Sequence, residues 1–293
     1  MTPAAPHPSN AGPVVATVAG EVRGIIDEHT GMRTWRGVPY GADTSGAWRF
    51  RAPRSPKRWE GVRDATEFAA PAMQGTFGWR DMVLGTEDCL TLDIVRPDTD
   101  DELPVVVYFH GGTFVTGASN ERVLQGHLLA DRTDVVYVSA NFRLGVLGYL
   151  DFRSVGPDCV ANPAILDQIL VLEWIRDNIA RFGGDPNAVT IMGESAGGAA
   201  VLHLMCAPAA RGLFHRAVAQ SPPPASVHSR HQAAMWVREL IDRLGMPRTT
   251  TIDDLRSTDA EELVRAGQSM LLNGKELVPV SYTHLRAHET PEH

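Results

Sequence analysis

A serine between two glycines is the first feature of this sequence that could do chemistry. Residues 193–197 read Gly-Glu-Ser-Ala-Gly, and the largely apolar segments 189–192 and 198–202 flank them. Where a strand turns sharply into a helix, glycines permit the strained backbone and leave the serine hydroxyl exposed at the helix N-terminus. There the N–H group of Ala196 can stabilise an oxyanion. Average composition gives roughly 0.1 such pentapeptides by chance in a chain of this length, so we interpret Ser195 as a catalytic nucleophile.

A second glycine-containing loop could supply further N–H groups to the same site. His-Gly-Gly-Thr-Phe occupies residues 110–114, directly after the apolar run 104–109. In enzymes with a serine on such a turn, a loop of this kind lies beside the serine and shares the oxyanion with the N–H that follows it. An ordinary glycine turn after a strand is the alternative. The presence of both motifs in one chain favours the catalytic interpretation.

The segments around these motifs predict a layered α/β fold. The continuous apolar runs 104–109 and 135–140 are typical of strands buried on both faces. Asn162 as a cap, Pro163 at the first position and a following apolar stripe predict a helix that ends at Gly183 and Gly184. The alternation of strands and helices predicts a mostly parallel central sheet with helices on both faces. We place further strands at 34–40, 90–95 and 216–220, an N-terminal hairpin at 14–26, an irregular region at 41–85, and helices at 122–131, 228–244, 252–256 and 260–272.

The composition argues against several classes of partner. The 293 residues are 43% hydrophobic and 21% charged, as in ordinary soluble domains, and the net charge is −8. An acidic chain lacks the basic patches that nucleic acids and anionic membranes require, so we expect neither as a partner. No secretory signal and no apolar run of about 18 residues is visible. The three widely spaced cysteines form neither a disulfide framework nor a zinc signature, which favours a cytoplasmic protein without metal or cofactor.

Six stretches together resemble the type B carboxylesterases, the family of cholinesterases and bacterial para-nitrobenzyl esterases. They are residues 35–40, 87–93, 110–114, 141–145, 166–168 and 193–198. The resemblance implies an α/β-hydrolase fold that cleaves small-molecule carboxylic esters through an acyl-serine on Ser195. It also implies oxyanion-hole N–H groups from Gly112, Thr113 and Ala196. The resemblance also implies supporting residues around the site and two buried ion pairs. The supporting residues are His110, Gly111, Gly193, Glu194 and Gly197, and the ion pairs are Arg36–Glu87 and Arg143–Asp167.

The sequence departs from the family pattern at three places. Thr113 replaces the usual glycine or alanine, which keeps the N–H group but narrows the acyl side of the site. Cys89 stands where many secreted members have half of a disulfide, and no cysteine precedes it, so we expect a free, buried thiol. The acid and the histidine of the family's catalytic triad would follow Val280, where the sequence stops resembling the family.

We divide the chain into a disordered, Pro/Ala-rich N-terminus, 1–13, a partial α/β-hydrolase domain, 14–279, and a non-native tail, 280–293. The tail resembles the translation of a sequencing-library adapter. Because a serine without a base is a poor nucleophile, we expect this chain to be an inactive fragment of an esterase. We weighed six other histidines as the base and favour none of them. His203 is interpreted as a surface or packing residue, His215, His228 and His231 as solvated residues near loop ends, and His284 and His288 as part of the tail.

Two other functions stay open. A non-catalytic binding protein of the same fold is disfavoured, because members of that kind typically lose the serine that this chain retains. A lactonase or a peptidase could use the same nucleophile. Glu194 could act electrostatically or merely form the turn, and Ser221 could lie near the triad acid or be an ordinary strand-end hydroxyl. The sequence specifies neither the ester nor the oligomeric state.

Overall fold

The described part of the protein contains fourteen strands and seven α-helices. A computed structural model describes residues 12–76, 82–224, 227–272 and 282–283. The strands are β1 (Val14–Ala16), β2 (Glu21–Arg23), β3 (Ile25–Ile26), β4 (Arg33–Pro39), β5 (Val62–Asp64), β6 (Gln74–Gly75), β7 (Val83–Leu84), β8 (Thr91–Arg96), β9 (Leu103–Phe109), β10 (Val136–Ala140), β11 (Gly184–Glu194), β12 (Arg216–Gln220), β13 (Val227–His228) and β14 (Tyr282–Thr283). The helices are α1 (His127–Thr133), α2 (Gly145–Gly148), α3 (Pro163–Asn178), α4 (Ala196–Cys206), α5 (Arg230–Arg243), α6 (Ile252–Ser257) and α7 (Ala260–Leu272).

The central sheet has seven strands in the order β12-β11-β9-β10-β8-β4-β3. The pairings from β12 to β10 are parallel, whereas those from β10 to β3 are antiparallel. The predicted parallel sheet therefore holds for the half that carries Ser195. The other half differs because parallel neighbours need crossover helices, and the described residues between β4 and β8 form no α-helix.

The predicted apolar runs lie in the centre of this sheet. Val105 and Val107 of β9 and Val136 and Val138 of β10 are fully buried. Side chains of successive residues point to opposite faces of a strand. All five residues of β10 and the last three of β9 are buried, so both faces of the sheet are covered there. The loop at 110–114 follows directly from the carboxyl end of β9, so the buried strand fixes the position where this loop begins.

Helix α3 forms at the predicted place but starts differently. Its apolar stripe is buried, including Ile165, Leu172 and Ile175. Asn162 adopts a left-handed conformation (φ 50°, ψ 58°) and its side chain makes no capping hydrogen bond. The expected side-chain cap is therefore wrong, and Pro163 alone provides the start signal. After a 3₁₀ turn, Gly183 ends the helical segment in the left-handed region, as predicted.

Two other segments differ from the sequence-based prediction. The helix expected at 122–131 is divided into a 3₁₀ turn, Arg122–Leu124, and α1. Gly126 separates them with φ 76°, and a Cβ there would lie 2.0 Å from the Tyr137 ring. The predicted irregular region at 41–85 contains the short strands β5, β6 and β7. The N-terminal hairpin is confirmed as antiparallel β1 and β2.

The hydrophobic core has a second, smaller part. It joins α5, α6 and α7 to α2 and to the segment around Phe50, through buried residues such as Trp236, Leu240 and Leu263. Helix α7 packs on both α2 and β6, and this contact places it behind the loops at the carboxyl end of the sheet.

Most residues of the predicted disordered N-terminus and of the predicted non-native tail lie outside the described part of the chain. Residues 1–11, 273–281 and 284–293 are not described, and within the tail only β14 is, paired in parallel with β13. Among the described helices, none combines the length and the apolar character needed to cross a bilayer.

Candidate active site

Ser195 lies at a strand-to-helix turn, as the pentapeptide predicts. Strand β11 ends at Glu194 and α4 begins at Ala196, with Ser195 between them at φ 56° and ψ −118°. A non-glycine residue in this region is strained and is held there by its surroundings. The Ser195 N–H donates to the Gln220 carbonyl at 2.9 Å, and its carbonyl accepts from the Ala199 N–H at 2.9 Å. Both backbone groups are therefore committed, and the side chain is half-buried.

The glycines beside Ser195 permit close packing between backbone segments. A Cβ on Gly197 would lie 2.0 Å from the Phe109 carbonyl oxygen, and one on Gly193 would lie 2.5 Å from the Gly197 carbonyl. Since real Cβ atoms do not approach backbone this closely, any larger residue would push α4 away from β9 and β11. Close approach thus explains the supporting glycines that the motif contains.

The loop after β9, residues 110–117, has an unusual backbone. Gly112, Thr113 and Phe114 have φ values of 110°, 56° and 64°. The N–H groups of Val115 and Thr116 both donate to the Gly112 carbonyl, at 3.1 and 3.0 Å. No hydrogen bond within the described residues uses the N–H of Gly112 or Thr113. The turn therefore leaves two backbone donors without a protein acceptor among the described residues.

This loop lies against the Ser195 turn. A Cβ built on Gly111 would be 3.5 Å from the Ser195 Cβ and 2.9 Å from the Glu194 carbonyl oxygen. Ala196 is the first residue of α4, where a helix leaves its N–H groups unpaired. The two motifs recognised in the sequence, 83 positions apart in the chain, thus meet in the structure.

His110 is buried beneath the loop and is neutral. Its ring stacks on Phe142 at 4.4 Å between centroids with an interplanar angle of 11°. Nδ1 donates to the Gly111 carbonyl at 2.8 Å, and Nε2 is buried without a partner in the described residues. Burial lowers the pKa of His110 to about 4, although the bond to Gly111 works in the opposite direction. A neutral, stacked imidazole can brace the loop, and the supporting role of His110 stays a prediction.

Glu194, the last residue of β11, is exposed. Its Oε2 would lie 3.4 Å from a Cβ on Gly111. Burial, and then the Glu194 charge, raise the pKa of the Tyr108 hydroxyl. Whether Glu194 acts electrostatically or merely forms the turn stays a prediction.

The predicted ion pair between Arg143 and Asp167 is confirmed. Arg143 Nη2 lies 2.6 Å from Asp167 Oδ1, and Nε lies 2.9 Å from Oδ2. Both side chains are buried, at 4% and 0% exposure. Burial opposes the charge of Arg143, but Asp167 outweighs it and raises the Arg143 pKa.

The predicted pair between Arg36 and Glu87 is wrong. Arg36 instead contacts Asp27, with Nη2 and Oδ2 3.0 Å apart. Glu87 accepts two hydrogen bonds of 2.6 Å from Nε and Nη2 of Arg49. A planar guanidinium matches a carboxylate in this two-bond geometry, and Arg49 is the buried arginine that reaches it. The sequence offers no way to choose, because residues 48–63 contain several arginines.

Four of the histidines weighed as the base lie in the described residues, and none of them makes a hydrogen bond to Ser195 there. His203 Nδ1 donates to the Ala199 carbonyl, and His215 Nδ1 accepts from the Val189 N–H at 3.2 Å. His228 packs edge-on against Trp236, and His231 is exposed. In the described residues, no hydrogen bond joins the Ser195 hydroxyl to a histidine. His284 and His288 lie outside the described residues.

The three cysteines are free thiols. Cys89 is buried, as predicted, and burial raises the pKa of its thiol. Cys159 is also buried, whereas Cys206 at the end of α4 is exposed. Among the described residues, no group of three or more His, Cys, Asp and Glu side chains could hold a metal ion.

The combination of a strained serine turn and an adjoining glycine loop is shared with known proteins. A sequence model described as the carboxylesterase family matches residues 11–284. This chain belongs to the carboxylesterase family. The para-nitrobenzyl esterase of Bacillus subtilis is 37% identical over 268 residues, which cover 90% of this chain and 54% of that protein. The phenmedipham hydrolase of Pseudarthrobacter oxydans is 36% identical over 269 residues, which cover 89% and 52%.

Solved structures of carboxylesterases have the same fold. A thermophilic para-nitrobenzyl esterase superposes with a TM-score of 0.86 at 34% identity, covering 95% of this chain and 58% of that one. A carboxylesterase of Geobacillus stearothermophilus has a TM-score of 0.81 at 36% identity, with coverages of 92% and 56%. The predicted α/β-hydrolase fold is confirmed, and the chain spans about half the length of the relatives it matches.

One side chain beside the loop is marked by no sequence motif. Gln74, in the region predicted to be irregular, is buried and bonds to Gly117. No motif marks it, since a glutamine in a loop-rich segment carries no periodic or chemical signal.

Proposed function

We propose that this chain is the nucleophile-bearing part of a serine carboxylesterase. The observation that carries the proposal is the contact between the strained Ser195 turn and a loop whose Gly112 and Thr113 N–H groups have no protein acceptor among the described residues. Unpaired backbone donors next to a half-buried serine hydroxyl are what acyl transfer requires, because they stabilise the oxygen that becomes negative. The family relatives, which include esterases, support the same reaction.

In the proposed reaction the Ser195 oxygen attacks the carbonyl carbon of a carboxylic ester. The carbonyl oxygen becomes an oxyanion and accepts hydrogen bonds from the N–H groups of Gly112, Thr113 and Ala196. The alcohol leaves with a proton, and water then releases the acid from acyl-Ser195. Because α4 begins at Ala196, its unpaired first N–H groups favour negative charge at the same point.

A general base must take the proton from Ser195. The described histidines weighed as the base, His203, His215, His228 and His231, make no hydrogen bond to Ser195 in the described residues, so we propose that the base and its acid partner lie outside the described residues. A serine hydrolase without its histidine loses on the order of 10⁶ in turnover, while the oxyanion hole retains ~10³–10⁴ over water. We further propose that this chain, which spans about half the length of its relatives, does not carry the base and therefore hydrolyses esters very slowly.

We also propose a preference for short, unbranched acyl groups. Thr113 is exposed at the tip of the loop, and its φ of 56° holds a β-branched side chain beside the donor N–H groups. A glycine or alanine there would leave more room for the acyl chain. Thr113→Gly should consequently improve turnover of bulky acyl esters relative to acetate.

The experiment compares three proteins with a p-nitrophenyl short-chain ester. They are this chain, its Ser195→Ala variant, and the chain extended by its native C-terminal region. We expect the first two to be indistinguishable and the third to be active. Turnover by the chain as given within about tenfold of the extended protein would show that one of its own histidines is the base. An extended protein without turnover would favour the non-catalytic alternative.

A further inference from the structure

Gln74 forms a paired set of hydrogen bonds with the backbone at the end of the glycine loop. Its Oε1 accepts from the Gly117 N–H at 2.8 Å, and its Nε2 donates to the Gly117 carbonyl at 2.9 Å. Nε2 also donates to the Ala72 carbonyl at 2.9 Å. The carboxamide is buried at 7% exposure. It thus binds Gly117 as a neighbouring strand would, through one donor and one acceptor.

Gly117 in turn lies against the residues that begin the loop. A Cβ on Gly117 would be 2.3 Å from His110 Nδ1 and 2.6 Å from the Gly111 carbonyl oxygen. Gly117 has φ 121°, a conformation that side-chain-bearing residues rarely adopt. The position that Gln74 fixes is therefore the one on which His110 and Gly111 rest, and Gly111 contacts the Ser195 turn.

The loop has few bonds of its own to hold this shape. Within residues 110–117, the backbone bonds in the described residues are the two to the Gly112 carbonyl. Outside support comes from Gln74 at Gly117 and from the Gly145 N–H, which donates to the Phe114 carbonyl at 2.8 Å. Thr113 and Phe114 are consecutive non-glycine residues with positive φ, which stores strain, and strain persists only where the surroundings over-determine it.

Helix α7 backs both supports. Gln268 Nε2 donates to the Thr76 carbonyl at 3.0 Å, next to the strand that carries Gln74. A Cβ on Gly267 would lie 2.4 Å from the Val146 side chain in α2, whose first residue is Gly145. Gln74 is consequently held on a packed element and not on a free loop.

We propose that Gln74 is a positioning residue that preorganises the Gly112 and Thr113 N–H groups for the oxyanion; this rests on the esterase function proposed above. It does not touch the substrate. Preorganised donors act mainly on the transition state, so their displacement lowers kcat and leaves KM nearly unchanged. A shift of about 1 Å in a catalytic group can cost on the order of 100-fold.

The test uses Gln74→Met, Gln74→Glu and a control, Gln125→Met, in the extended protein. Gln125 also donates from Nε2 to a backbone carbonyl, that of Asn120 at 3.1 Å, outside the 110–117 loop. We expect Gln74→Met to lower kcat about 10- to 100-fold with KM changed less than about threefold. The affinity of a trifluoromethyl ketone, which mimics the tetrahedral oxyanion, should fall by the same factor as kcat/KM. Gln125→Met should change neither.

The Gln74→Glu variant should show a pH dependence of kcat that a mere loss of packing would not produce. Its carboxylate would face two carbonyl oxygens, and burial together with this contact raises its pKa. Protonation at low pH restores one donor, so its deficit in kcat relative to wild type should shrink as the pH falls. Gln74→Met should show a constant deficit. If Gln74→Met fails to fold, this recovery of Gln74→Glu decides the question.

Amide hydrogen exchange of residues 110–117 separates this proposal from the proposed function. It should be at least about tenfold faster in Gln74→Met than in Gln125→Met, since a local bond set is lost. If the wild-type extended protein has no esterase activity, the proposed function fails and exchange alone decides whether Gln74 holds the loop. Unchanged exchange, or a kcat within threefold of wild type in both Gln74 variants, would overturn the inference.

Discussion

The Arg143 guanidinium and the Asp167 carboxylate are joined by two hydrogen bonds of 2.6 and 2.9 Å away from solvent. Asp167 Oδ2 also accepts from the Arg143 backbone N–H at 3.1 Å. The pair fixes the segment that precedes α2 onto α3. Two residues further along, the Gly145 N–H supports the Phe114 carbonyl of the oxyanion loop. A structural ion pair is thereby connected to the site through a short stretch of backbone.

Removing one partner of this pair should be strongly destabilising. Arg143→Ala leaves the Asp167 carboxylate buried without its cation, which typically costs about 3–5 kcal/mol. The control is Arg176→Ala, whose pair with Asp177 is solvent-exposed and should cost no more than about 1 kcal/mol. Urea denaturation followed by circular dichroism measures both. Equal midpoints for the two variants would contradict burial of the Arg143 pair.

The corrected partner of Glu87 can be tested by a double-mutant cycle. Arg49→Met and Glu87→Gln remove the two sides of a buried pair with two 2.6 Å bonds. Contacting residues show coupling energies of about 0.5–3 kcal/mol, whereas separated residues add within about 0.5 kcal/mol. We expect a coupling energy in the range of about 0.5–3 kcal/mol for Arg49 with Glu87, and additive effects for Arg36 with Glu87. The opposite pattern would restore the pairing expected from the resemblance.

The buried neutral state of His110 predicts a pH dependence of stability. Its folded pKa of about 4 lies below the usual value near 6.5. Between these values the unfolded chain binds more protons, so this contribution is complete above about pH 6.5 and is lost as the pH falls towards 4. The loss from pH 7 to pH 5 is roughly 2 kcal/mol.

The comparison that isolates His110 is with His110→Gln, which has no titrating ring. Wild type should lose roughly 2 kcal/mol more than this variant between pH 7 and pH 5, because the other titrating groups are common to both. Parallel denaturation midpoints in the two proteins would show that His110 is not held neutral by burial.

The sequence predicted those elements that a local pattern defines. Continuous apolar runs identified β9 and β10, because a strand covered on both faces needs them at every position. The apolar stripe of α3 and the Gly-Glu-Ser-Ala-Gly turn are also local patterns, and the sequence therefore predicted both. The close approach of the Phe109 carbonyl leaves no room for a side chain at residue 197, and the motif contains the glycine that this contact needs.

Features that depend on distant parts of the chain could not be predicted in this way. Arg49 rather than Arg36 pairs with Glu87 because the fold brings residues 49 and 87 together. Gln74 carries no pattern, and its role comes only from the position of Gly117. The cytoplasmic location and the non-native tail from about Val280 stay predictions, and the roles assigned to the site residues stay proposals.

The central claim is that Ser195 is the nucleophile of an ester hydrolase. The most direct measurement is mass spectrometry of the extended protein after reaction with a fluorophosphonate, which captures an activated serine covalently. We predict one phosphonyl group per chain, located on the peptide that contains Ser195, with loss of p-nitrophenyl ester turnover in proportion to labelling. The Ser195→Ala variant should take up no label and show no turnover. Labelling at another serine, or ester turnover that survives Ser195→Ala, would contradict the claim.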